Sequence, residues 1–387
     1  MDRITGAYID SSLGESRYRA FVPDPLPPAP PLSFSPALIA GLERANQALG
    51  RLDGITLLLP DPTLFLYQYV RKEALLSSQI EGTQSSLSDL LLFELDELPG
   101  VPVDDVEEVS NYVAALNHGL NRLRKDDFPL SLRLIREMHA ELLRGGRGAT
   151  KRPGEFRTSQ NWIGGRSPAT AHFVPPPPDR LMDCLGAFEQ FLHAPAAEMP
   201  PLIKAALAHV QFETIHPFLD GNGRLGRLLI ALILCCEGVL REPSLYLSLY
   251  FKQHRAAYYE HLDAIRRTGD WESWLAFFLD GVASTSQQAV ESAQRILHLL
   301  ETDRARAGAL GRRAGNVLQV LDQFARHVAL NVPALQKQVR VSKPTVRAAI
   351  AQLSEMGIVN EITGQQRNRM YVYQSYYDIL SEGAEPL

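Results

Sequence analysis

Apolar residues recur every three or four positions along most of the chain, which is the spacing of amphipathic helices. The pattern is clear in LIAGLERANQAL, VEEVSNYVAALNHGLNRL and LSLRLIREMHAELL, and it predicts helices between about 36 and 144. It returns from Asp179 to about Glu301, where Pro201–Thr214 and Arg224–Gly238 are predicted as consecutive helices. The fold is therefore expected to be mainly α.

Residues 151–178 interrupt this pattern with glycine, proline and β-forming residues. Gly164 and Gly165 predict a turn between two short extended segments, and four consecutive prolines prevent a helix until about Asp179. Residues 1–35 are polar and then proline-rich, so we expect either an extended arm lying over a domain or a disordered start.

At 387 residues, the chain is expected to form two or three domains. We predict an N-terminal arm and helical region over 1–110, a helical core over 111–300, a linker over 301–315 and a C-terminal domain over 316–387. The linker is suggested by the charged, glycine-bearing stretch ETDRARAGALGRRAG, although an exposed helix end has the same composition.

Composition narrows the class of protein. The apolar content of 45% is that of a globular protein, and the net charge of −5 excludes a wholly basic nucleic-acid coat. The N-terminus has no apolar leader, and the longest apolar run, Leu228–Cys236, is far below the roughly 18 residues of a membrane span. The three cysteines have no metal-binding spacing, so we expect a cytoplasmic protein with reduced thiols and no membrane partner.

Twelve residues between two predicted helices, HPFLDGNGRLGR (216–227), combine chemistry that a packed core does not need. The glycines of Gly221–Gly223 allow backbone N–H groups to converge on an anion, and the N-terminus of the following helix adds its own. Arg224 and Arg227 are three residues apart, so they share a helix face over the loop and can bind phosphate oxygens.

Asp220 and His216 add a metal ligand and a base. Asp220 is the carboxylate of the loop, and a hard oxygen ligand suits Mg²⁺, the usual companion of a polyphosphate. His216 belongs to the residue type whose ordinary pKa suits proton removal from a hydroxyl group. Phe218 is expected to anchor the loop in the core. A lone histidine or Gly-x-Gly is more often structural, so the prediction rests on the joint pattern.

HPFLDGNGRLGR resembles the signature of Fic-domain enzymes at every defining position. The resemblance covers about residues 36–300 and implies a helical enzyme that transfers AMP from ATP to a protein hydroxyl. It implies His216 as general base and Asp220 as Mg²⁺ ligand. The implied phosphate-binding residues are Gly221, Asn222, Gly223, Arg224 and Arg227. Gly223 stands where the related Doc kinases usually carry lysine, which favours AMP transfer over phosphorylation.

Upstream, SSQIEG (77–82) resembles the inhibitory helix of the same family. The resemblance implies that Ser77, Glu81 and Gly82 form an inhibitory motif. A Glu81 carboxylate paired with Arg227 would occupy the arginine that the γ-phosphate needs, so ATP would bind in a non-productive pose. Taken alone, the same pattern also fits a solvent-exposed glutamate at a helix end.

Two further segments are interpreted through the resemblance. Residues 153–178 are expected to be a β-hairpin flap that holds the target chain in extended form, with an ordinary surface hairpin as the alternative. The expected target-binding residues are Thr170, Ala171, His172, Phe173 and Val174. Tyr250 and Tyr258 are expected to flank adenine, although aromatic residues at helical spacing also fit a core. His139 is expected to be a packed helix residue.

Residues 316–373 predict three short helices followed by a β-hairpin, which resembles a winged helix-turn-helix with Ser342–Met356 as recognition helix and Gly364–Arg369 as wing. Between 312 and 372, nine basic and three acidic residues give a net charge of +6. That charge suits a phosphate backbone, although winged helices also serve protein contacts. The candidate DNA-binding residues are Ser342, Lys343, Thr345, Arg347, Arg367 and Arg369.

The sequence thus predicts a mainly α protein with a Fic-type helical core, a short β-hairpin flap and a C-terminal winged helix-turn-helix domain. The leading hypothesis is a self-restrained protein adenylyltransferase that uses ATP and Mg²⁺ on a Ser, Thr or Tyr hydroxyl, its own included. Two alternatives stay open: a DNA-binding regulator with a nucleotide-sensing loop, and an enzyme that removes AMP with Glu81 positioning water. DNA and a homodimer stay open as partners.

Overall fold

The computed structural model of the chain describes residues 3–14, 16–58, 62–94, 102–145, 148–195, 198–364 and 369–386. The prediction of a mainly helical fold is confirmed. The first eleven helices are α1 Pro36–Leu58, α2 Pro62–Ile80, α3 Leu87–Glu94, α4 Val103–Lys125, α5 Leu132–Leu142, α6 Pro178–Leu192, α7 Pro201–Ile215, α8 Asn222–Cys236, α9 Ser248–Gln253, α10 Arg255–Thr268 and α11 Trp271–Gly308.

Two helices, α7 and α8, form the centre of the structure. Both are buried on nearly all sides, and a helix that is apolar all round requires neighbours all round. Helices α2, α4, α5, α6 and α11 supply those neighbours. The loop between α7 and α8 is therefore fixed at both ends by the best-packed part of the fold.

The N-terminal segment forms a β-hairpin that the sequence pattern did not predict. Strands β1 (Gly6–Leu13) and β2 (Ser16–Pro23) pair in antiparallel register, from Gly6 opposite Pro23 to Leu13 opposite Ser16. Phe21 N donates to Val174 O at 2.9 Å, which joins the hairpin to the segment before α6. Residues 1–35 had two interpretations, an extended arm and a disordered start. The structure agrees with the arm lying over a domain.

Helix α11 has 38 residues and runs through part of the predicted linker. Residues 301–308 belong to this helix, and a short 3₁₀ turn at Gly311–Arg313 leads into the next one. Residues 301–308 are therefore a mostly exposed helix end, which was the alternative to a linker. Lysines, arginines and glutamates are good helix formers, so the charged composition of this stretch does not distinguish a linker from a solvated helix.

The C-terminal region comprises α12 Ala314–His327, β3 Ala329–Asn331, α13 Val332–Gln338, α14 Lys343–Glu355, β4 Val359–Glu361, β5 Met370–Tyr373 and α15 Gln374–Ser381. The strands form an antiparallel sheet in the order β3–β5–β4. Ser342 caps α14 by accepting from Thr345 N, as its position before Pro344 predicts. Arg367 lies outside the described residues.

The end of the chain returns to the helical core. Gln79 Nε2, near the end of α2, donates to Ala384 O at 2.9 Å and to Ser85 O at 2.8 Å. Lys252 Nζ donates to Gln79 Oε1 at 2.7 Å and also contacts the backbone carbonyl of Glu385. The segment after α15 is thus bonded to the helix that carries the predicted inhibitory motif.

Across the described part of the chain, no helix combines the length and apolar content needed to span a bilayer.

Candidate active site

The loop between α7 and α8 has two backbone positions in the left-handed region. His216, which ends α7, has φ +49°, and Gly221, which precedes α8, has φ +76°. Left-handed geometry is unfavourable for a residue with a Cβ, so His216 needs external support. Arg157 supplies part of it, since its Nε donates to His216 O at 2.9 Å and its backbone N donates to Pro217 O at 2.9 Å.

His139 on α5 holds the other half of the loop. Its ring is fully buried and stacks on Phe218 with the ring centroids 3.7 Å apart. Its Nδ1 accepts from Gly154 N at 2.8 Å, so Nε2 carries the hydrogen and donates to Asp220 O at 3.0 Å. The expectation of a packed histidine is thus met, and the same ring also positions the backbone of Asp220.

Asn222 fixes the turn from inside. Its Oδ1 accepts from Phe218 N at 2.9 Å, and its Nδ2 donates to Phe218 O at 2.9 Å. The side chain is 2% exposed, so its amide is committed to the loop backbone. The side chain of Asn222 therefore shapes the loop, and its predicted contact with phosphate would use its backbone N–H.

The cleft above the N-terminus of α8 has a volume of about 420 Å³. Its walls bring together His216, Asp220 and Gly221–Arg224 with the inhibitory-motif residues Glu81 and Gly82 and with Glu108, Lys151 and Leu219. The predicted base, metal ligand and phosphate-binding loop thus share one cavity. Glu108 and Lys151 were not predicted, because nothing in their local sequence relates them to the loop.

The tautomer of His216 fits the predicted role of this residue as a base. Its Nδ1 lies 3.4 Å from Glu213 O, and a carbonyl oxygen only accepts, so Nδ1 carries the hydrogen and Nε2 keeps its lone pair. Burial, with Arg157 and Arg266 nearby, lowers the pKa of His216 to about 4. The imidazole is therefore neutral at pH 7 and able to accept a proton.

Arg224 lies on the cleft wall between two carboxylates. Its NH1 donates to Glu108 Oε2 at 2.9 Å, and its NH2 is 3.6 Å from Asp220 Oδ1. Arg224 is only 5% exposed, so these anions hold the guanidinium in a fixed position. The predicted phosphate-binding arginine is therefore already held in place at the cleft.

Arg227 is bound to the predicted inhibitory motif. Its Nε donates to Ser77 Oγ at 2.9 Å, and its NH2 donates to Ser77 O at 2.9 Å and to Glu81 Oε1 at 2.6 Å. Burial alone would raise the pKa of the Glu81 carboxyl, but Arg227 holds it below its ordinary value. Gly82 follows with φ +103°, a backbone conformation that glycine adopts more readily than other residues.

The same carboxylate also lies against Gly223, in the first turn of α8. A Cβ atom on Gly223 would overlap Glu81 Oε1, so the glycine leaves room for the carboxylate at the start of α8. Glu81 therefore fills the space beside Gly223 at the N-terminus of α8. The same side chain contacts both Arg227 and the predicted phosphate-binding loop.

Neither of the two tyrosines that were predicted to flank adenine lines the cleft around His216. Tyr258 is 1% exposed and donates or accepts a hydrogen bond with His209 Nε2 at 2.8 Å, among the rings of Phe251 and Trp274. Tyr250 packs on Phe277 with the ring centroids 5.0 Å apart. Tyr258 is therefore a core residue, which is the alternative interpretation of aromatic residues at helical spacing.

The predicted flap is only partly a hairpin. Its two arms pair at a single bridge between Ile163 and Phe173, and a 3₁₀ turn at Pro168–Thr170 occupies the connection. Phe173 and Val174 are buried, and the Arg266 guanidinium lies 3.9 Å from the Phe173 ring centroid. The exposed residues of the predicted target-binding segment are Thr170 and His172, with Ala171 partly exposed between them.

Three basic residues of the predicted DNA-binding set lie on α14 or directly before β5. Lys343, Arg347 and Arg369 line a cleft of about 810 Å³ between α14 and strands β4 and β5. Ser342 and Thr345 are joined by a hydrogen bond of 2.8 Å between their hydroxyl oxygens at the start of α14. This cleft and the cleft around His216 have no lining residue in common.

Two family models match the chain. The model described as "Fic/DOC family N-terminal" matches residues 39–121, and the one described as "Fic/DOC family" matches residues 129–234, which contain the whole loop. The chain carries both domains of the Fic/DOC family. The first match includes Ser77–Gly82, and the second includes both His139 and His216.

Curated relatives carry the same family name. The chain is 30% identical over 240 residues to "Protein adenylyltransferase Fic" of Culex quinquefasciatus, which covers 60% of this chain and 45% of the relative. The protein of the same name from Aedes aegypti is 31% identical over 223 residues, covering 57% and 41%. This Fic/DOC chain therefore matches less than half the length of these relatives.

Solved structures share the fold. A Fic family protein from Desulfovibrio desulfuricans is 20% identical with a TM-score of 0.58, covering 89% of this chain and 98% of that one. Fic-1 (residues 134–508) from C. elegans is 25% identical with a TM-score of 0.52, covering 68% and 73%. The first comparison extends the shared Fic/DOC architecture over most of the chain.

Proposed function

We propose that the protein transfers AMP from ATP to a Ser, Thr or Tyr hydroxyl of a protein. The observation that carries this proposal is the convergence, in one cleft, of the neutral imidazole of His216, the N-terminus of α8 and Arg224. The name shared by the curated relatives supports the same reaction class. Self-modification belongs to the proposal, since a hydroxyl on another copy or on a mobile part of the same chain is chemically equivalent.

The reaction needs one proton acceptor and one set of anion donors. His216 Nε2 takes the hydroxyl proton while the hydroxyl oxygen forms a bond to the α-phosphorus. The bond from that phosphorus to the bridging oxygen breaks, and pyrophosphate leaves with the electron pair. The backbone N–H groups of Asn222 and Gly223 and the guanidinium of Arg224 stabilise the negative charge that develops on the phosphates. Gly221 N donates to Asp220 Oδ1 instead.

Asp220 fits a role in holding Mg²⁺. Its carboxylate is 42% exposed at the cleft, and both of its recorded contacts, to Gly221 N and Arg224 NH2, use Oδ1. In the described residues, no group of three or more His, Cys, Asp or Glu could hold a metal. One carboxylate oxygen completed by substrate phosphates is a usual Mg²⁺ arrangement, and the ion would neutralise phosphate charge there.

Glu81 is proposed to restrain the reaction. While its Oε1 lies 2.6 Å from Arg227 NH2, that guanidinium has no free donor fork for an outer phosphate. ATP would then bind with its phosphates displaced from the geometry that aligns the α-phosphorus with His216. Release of Glu81 from Arg227 would restore the productive pose without any change in the catalytic loop.

The exposed part of the segment 170–172 is proposed to align the target chain. Thr170, Ala171 and His172 are accessible, whereas Phe173 and Val174 are anchored in the core. An anchored segment with exposed backbone groups can add a short stretch of extended peptide through main-chain hydrogen bonds. The hydroxyl of that peptide would then be presented to His216, which is tied to the same region through Arg157.

A second activity is favoured by the C-terminal charge. Exposed Lys343 and Arg347 on α14 lie beside Arg369, within a region of net charge +6. We propose that residues 314–373 form a winged helix that binds the DNA backbone through α14. Gel-shift titration of the full chain at rising salt is the test: salt-sensitive binding that weakens in a Lys343→Ala/Arg347→Ala variant is expected, and salt-independent or absent binding would leave a protein-contact role.

The adenylyltransferase proposal is tested with the Glu81→Gly variant, α-labelled ATP, Mg²⁺ and cell lysate, followed by mass spectrometry of the labelled proteins. Label as AMP on a hydroxyl side chain is expected, and Glu81→Gly/His216→Ala should give none. Labelling that persists without His216 would rule out the mechanism. Incubation with a pre-modified target separates AMP transfer from AMP removal.

A further inference from the structure

Glu213 lies beside His216, the proposed base, on the side of Nδ1. It belongs to none of the motifs predicted from the sequence. It precedes His216 by three residues near the end of α7, is only 7% exposed, and has its Oε2 4.0 Å from His216 Nδ1. Its Oε1 has no hydrogen-bond partner. A buried carboxylate with an unpartnered oxygen is costly, so this position calls for a reason beyond packing.

The fold makes room for this carboxylate. A Cβ atom on Gly226 would lie 2.6 Å from Glu213 Oε1, so glycine at 226 allows α8 to pass directly over the acid. Arg227 and Arg266 favour its ionised form from two different helices, while burial disfavours it. The carboxylate is therefore enclosed next to the imidazole, where solvent does not weaken their interaction.

We propose that Glu213 is a positioning residue whose carboxylate stabilises the imidazolium that His216 becomes when it accepts the hydroxyl proton. This inference rests on the proposed AMP transfer. The proton moves from the hydroxyl to Nε2, and the Nδ1–H of the resulting cation then faces the carboxylate. Glu213 also fixes the tautomer, but it does so through its backbone carbonyl, which is independent of its side chain.

The charge state of the pair gives the proposal a pH signature. Burial raises the pKa of Glu213 to about 7, whereas the pKa of His216 is lowered to about 4. Above pH 7 the carboxylate is ionised beside a neutral imidazole, which is the state that favours proton uptake by His216. The other ionisable groups that act on this pair are Glu81, Arg157, Arg227, Tyr258, Tyr259 and Arg266.

The test compares kcat and KM of Glu81→Gly with those of Glu81→Gly/Glu213→Gln from about pH 5.5 to 9, using self-labelling with α-labelled ATP. We expect kcat of Glu81→Gly to rise with pH near pH 7, giving a rising limb in the pH profile. This limb should be absent from Glu81→Gly/Glu213→Gln. Its kcat should be lower by roughly tenfold to a hundredfold at high pH, with KM for ATP little changed. Because the backbone carbonyl remains, the loss should be smaller than the ~10⁴-fold seen when tautomer control is lost.

A matched control is Glu237→Gln, which removes a carboxylate from the residue that directly follows α8. Glu237 binds Lys204 Nζ at 2.5 Å at the opposite end of α7 and α8. It should leave the rising limb unchanged, and thermal melting checks that all variants fold. A Glu213→Gln enzyme that keeps the limb would overturn the inference.

A second readout does not depend on turnover. In protein carrying ¹³C-labelled histidine, the His216 signal, identified by its loss in His216→Gln, should show an inflection near pH 7 that disappears in Glu213→Gln. If no labelling occurs in any variant, the proposed function fails while this titration still decides the Glu213 inference. An inflection that is absent from the parent or persists in Glu213→Gln rejects it.

Discussion

Glu81 Oε1 lies 2.6 Å from Arg227 NH2, and these two residues are 146 positions apart in the chain. Arg227 is buried at 2% exposure while the Glu81 side chain is 37% exposed. The arginine is therefore held by the fold, and the glutamate is the partner that can leave. Ser77 provides two further acceptors for the same guanidinium, so loss of Glu81 does not leave Arg227 unpaired.

The first prediction concerns release of this contact. Glu81→Gly should raise AMP transfer, because Arg227 becomes available to an outer phosphate. Truncating one partner of a buried charge pair typically costs 2–5 kcal/mol, and the exposure of Glu81 places this pair low in that range. We therefore expect a gain of roughly tenfold to a few hundredfold in labelling rate.

The control is Glu141→Gly, which removes a glutamate paired with Arg144 at 3.3 Å near the end of α5. That pair does not border the cleft, and the rate should stay near the wild-type value. Equal rates for Glu81→Gly and the wild type would contradict the proposed restraint.

The second prediction links Gly223 to Glu81 through stability. Gly223→Ala should destabilise the wild-type protein by up to about 1 kcal/mol, since the new methyl group displaces the partly exposed Glu81 carboxylate from Arg227. In the Glu81→Gly background that overlap is absent and Arg227 NH1, at 3.2 Å, is the nearest remaining atom, while alanine is up to ~1 kcal/mol better than glycine in a helix. The same substitution should then be neutral or stabilising.

Denaturant unfolding of the four proteins in this double-mutant cycle measures the coupling. Additive changes in the free energy of unfolding would show that the carboxylate does not occupy the loop in solution.

The third prediction is a dependence of stability on pH. Burial lowers the pKa of His209, in the core of α7, to about 3, whereas an unfolded histidine titrates near 6.5. Between these values the unfolded state binds the proton and the folded state does not. The free energy of unfolding therefore falls as pH is lowered from 6.5, by up to ~1.4 kcal/mol per pH unit for one such group.

His209→Gln keeps a polar partner for the Tyr258 hydroxyl and removes the titrating ring. Urea unfolding between pH 6.5 and 4.5 should show a smaller slope for this variant than for the wild type. Substitution of exposed His172 by glutamine serves as the control and should leave the slope unchanged. Parallel curves for the wild type and His209→Gln would refute the prediction.

The fourth prediction concerns the end of the chain. Truncation after Ser381 removes the carbonyl acceptors that Gln79 and Lys252 use, and Gln79 lies two residues before Glu81. Amide hydrogen exchange at 76–82 should accelerate, and the labelling rate should rise severalfold. Glu382→Gln, which removes only a solvent-exposed pair with Arg295, should do neither. Unchanged hydrogen exchange at 76–82 in the truncated protein would show that the segment after Ser381 does not stabilise the end of α2.

The sequence predicted the parts of the site that depend on local order. The spacing of Arg224 and Arg227, the glycines before α8 and the helix flanks follow from 3.6-residue periodicity and from glycine geometry. The partner of Arg227 came from the family resemblance, because a residue 146 positions away leaves no local pattern. His139, Arg157 and Glu213 were missed as site residues for the same reason, since only the tertiary structure brings them to the loop.

Other differences have local causes. The hairpin formed by β1 and β2 was not predicted, because residues 1–35 contain a proline-rich stretch after Pro23 that is typical of extended or disordered segments. Thr170 shortened the predicted flap by forming a capping box with Ser167, which favours a 3₁₀ turn over strand pairing. Tyr258 has the spacing of both a ligand contact and a core residue, and its bond to His209 identifies it as part of the core.

Helix α11 connects features at opposite ends of the chain. Near its start, Glu272 binds Arg3 at 2.9 Å, and near its end, Asp303 Oδ2 accepts from Tyr373 Oη at 2.7 Å. Its 38 residues span ~57 Å without an interruption. A continuous helix of this length does not act as a flexible tether. A macromolecule held at α14 and a protein entering the His216 cleft would therefore meet at a set distance and angle, so geometry would limit which pairs of partners can be engaged at once.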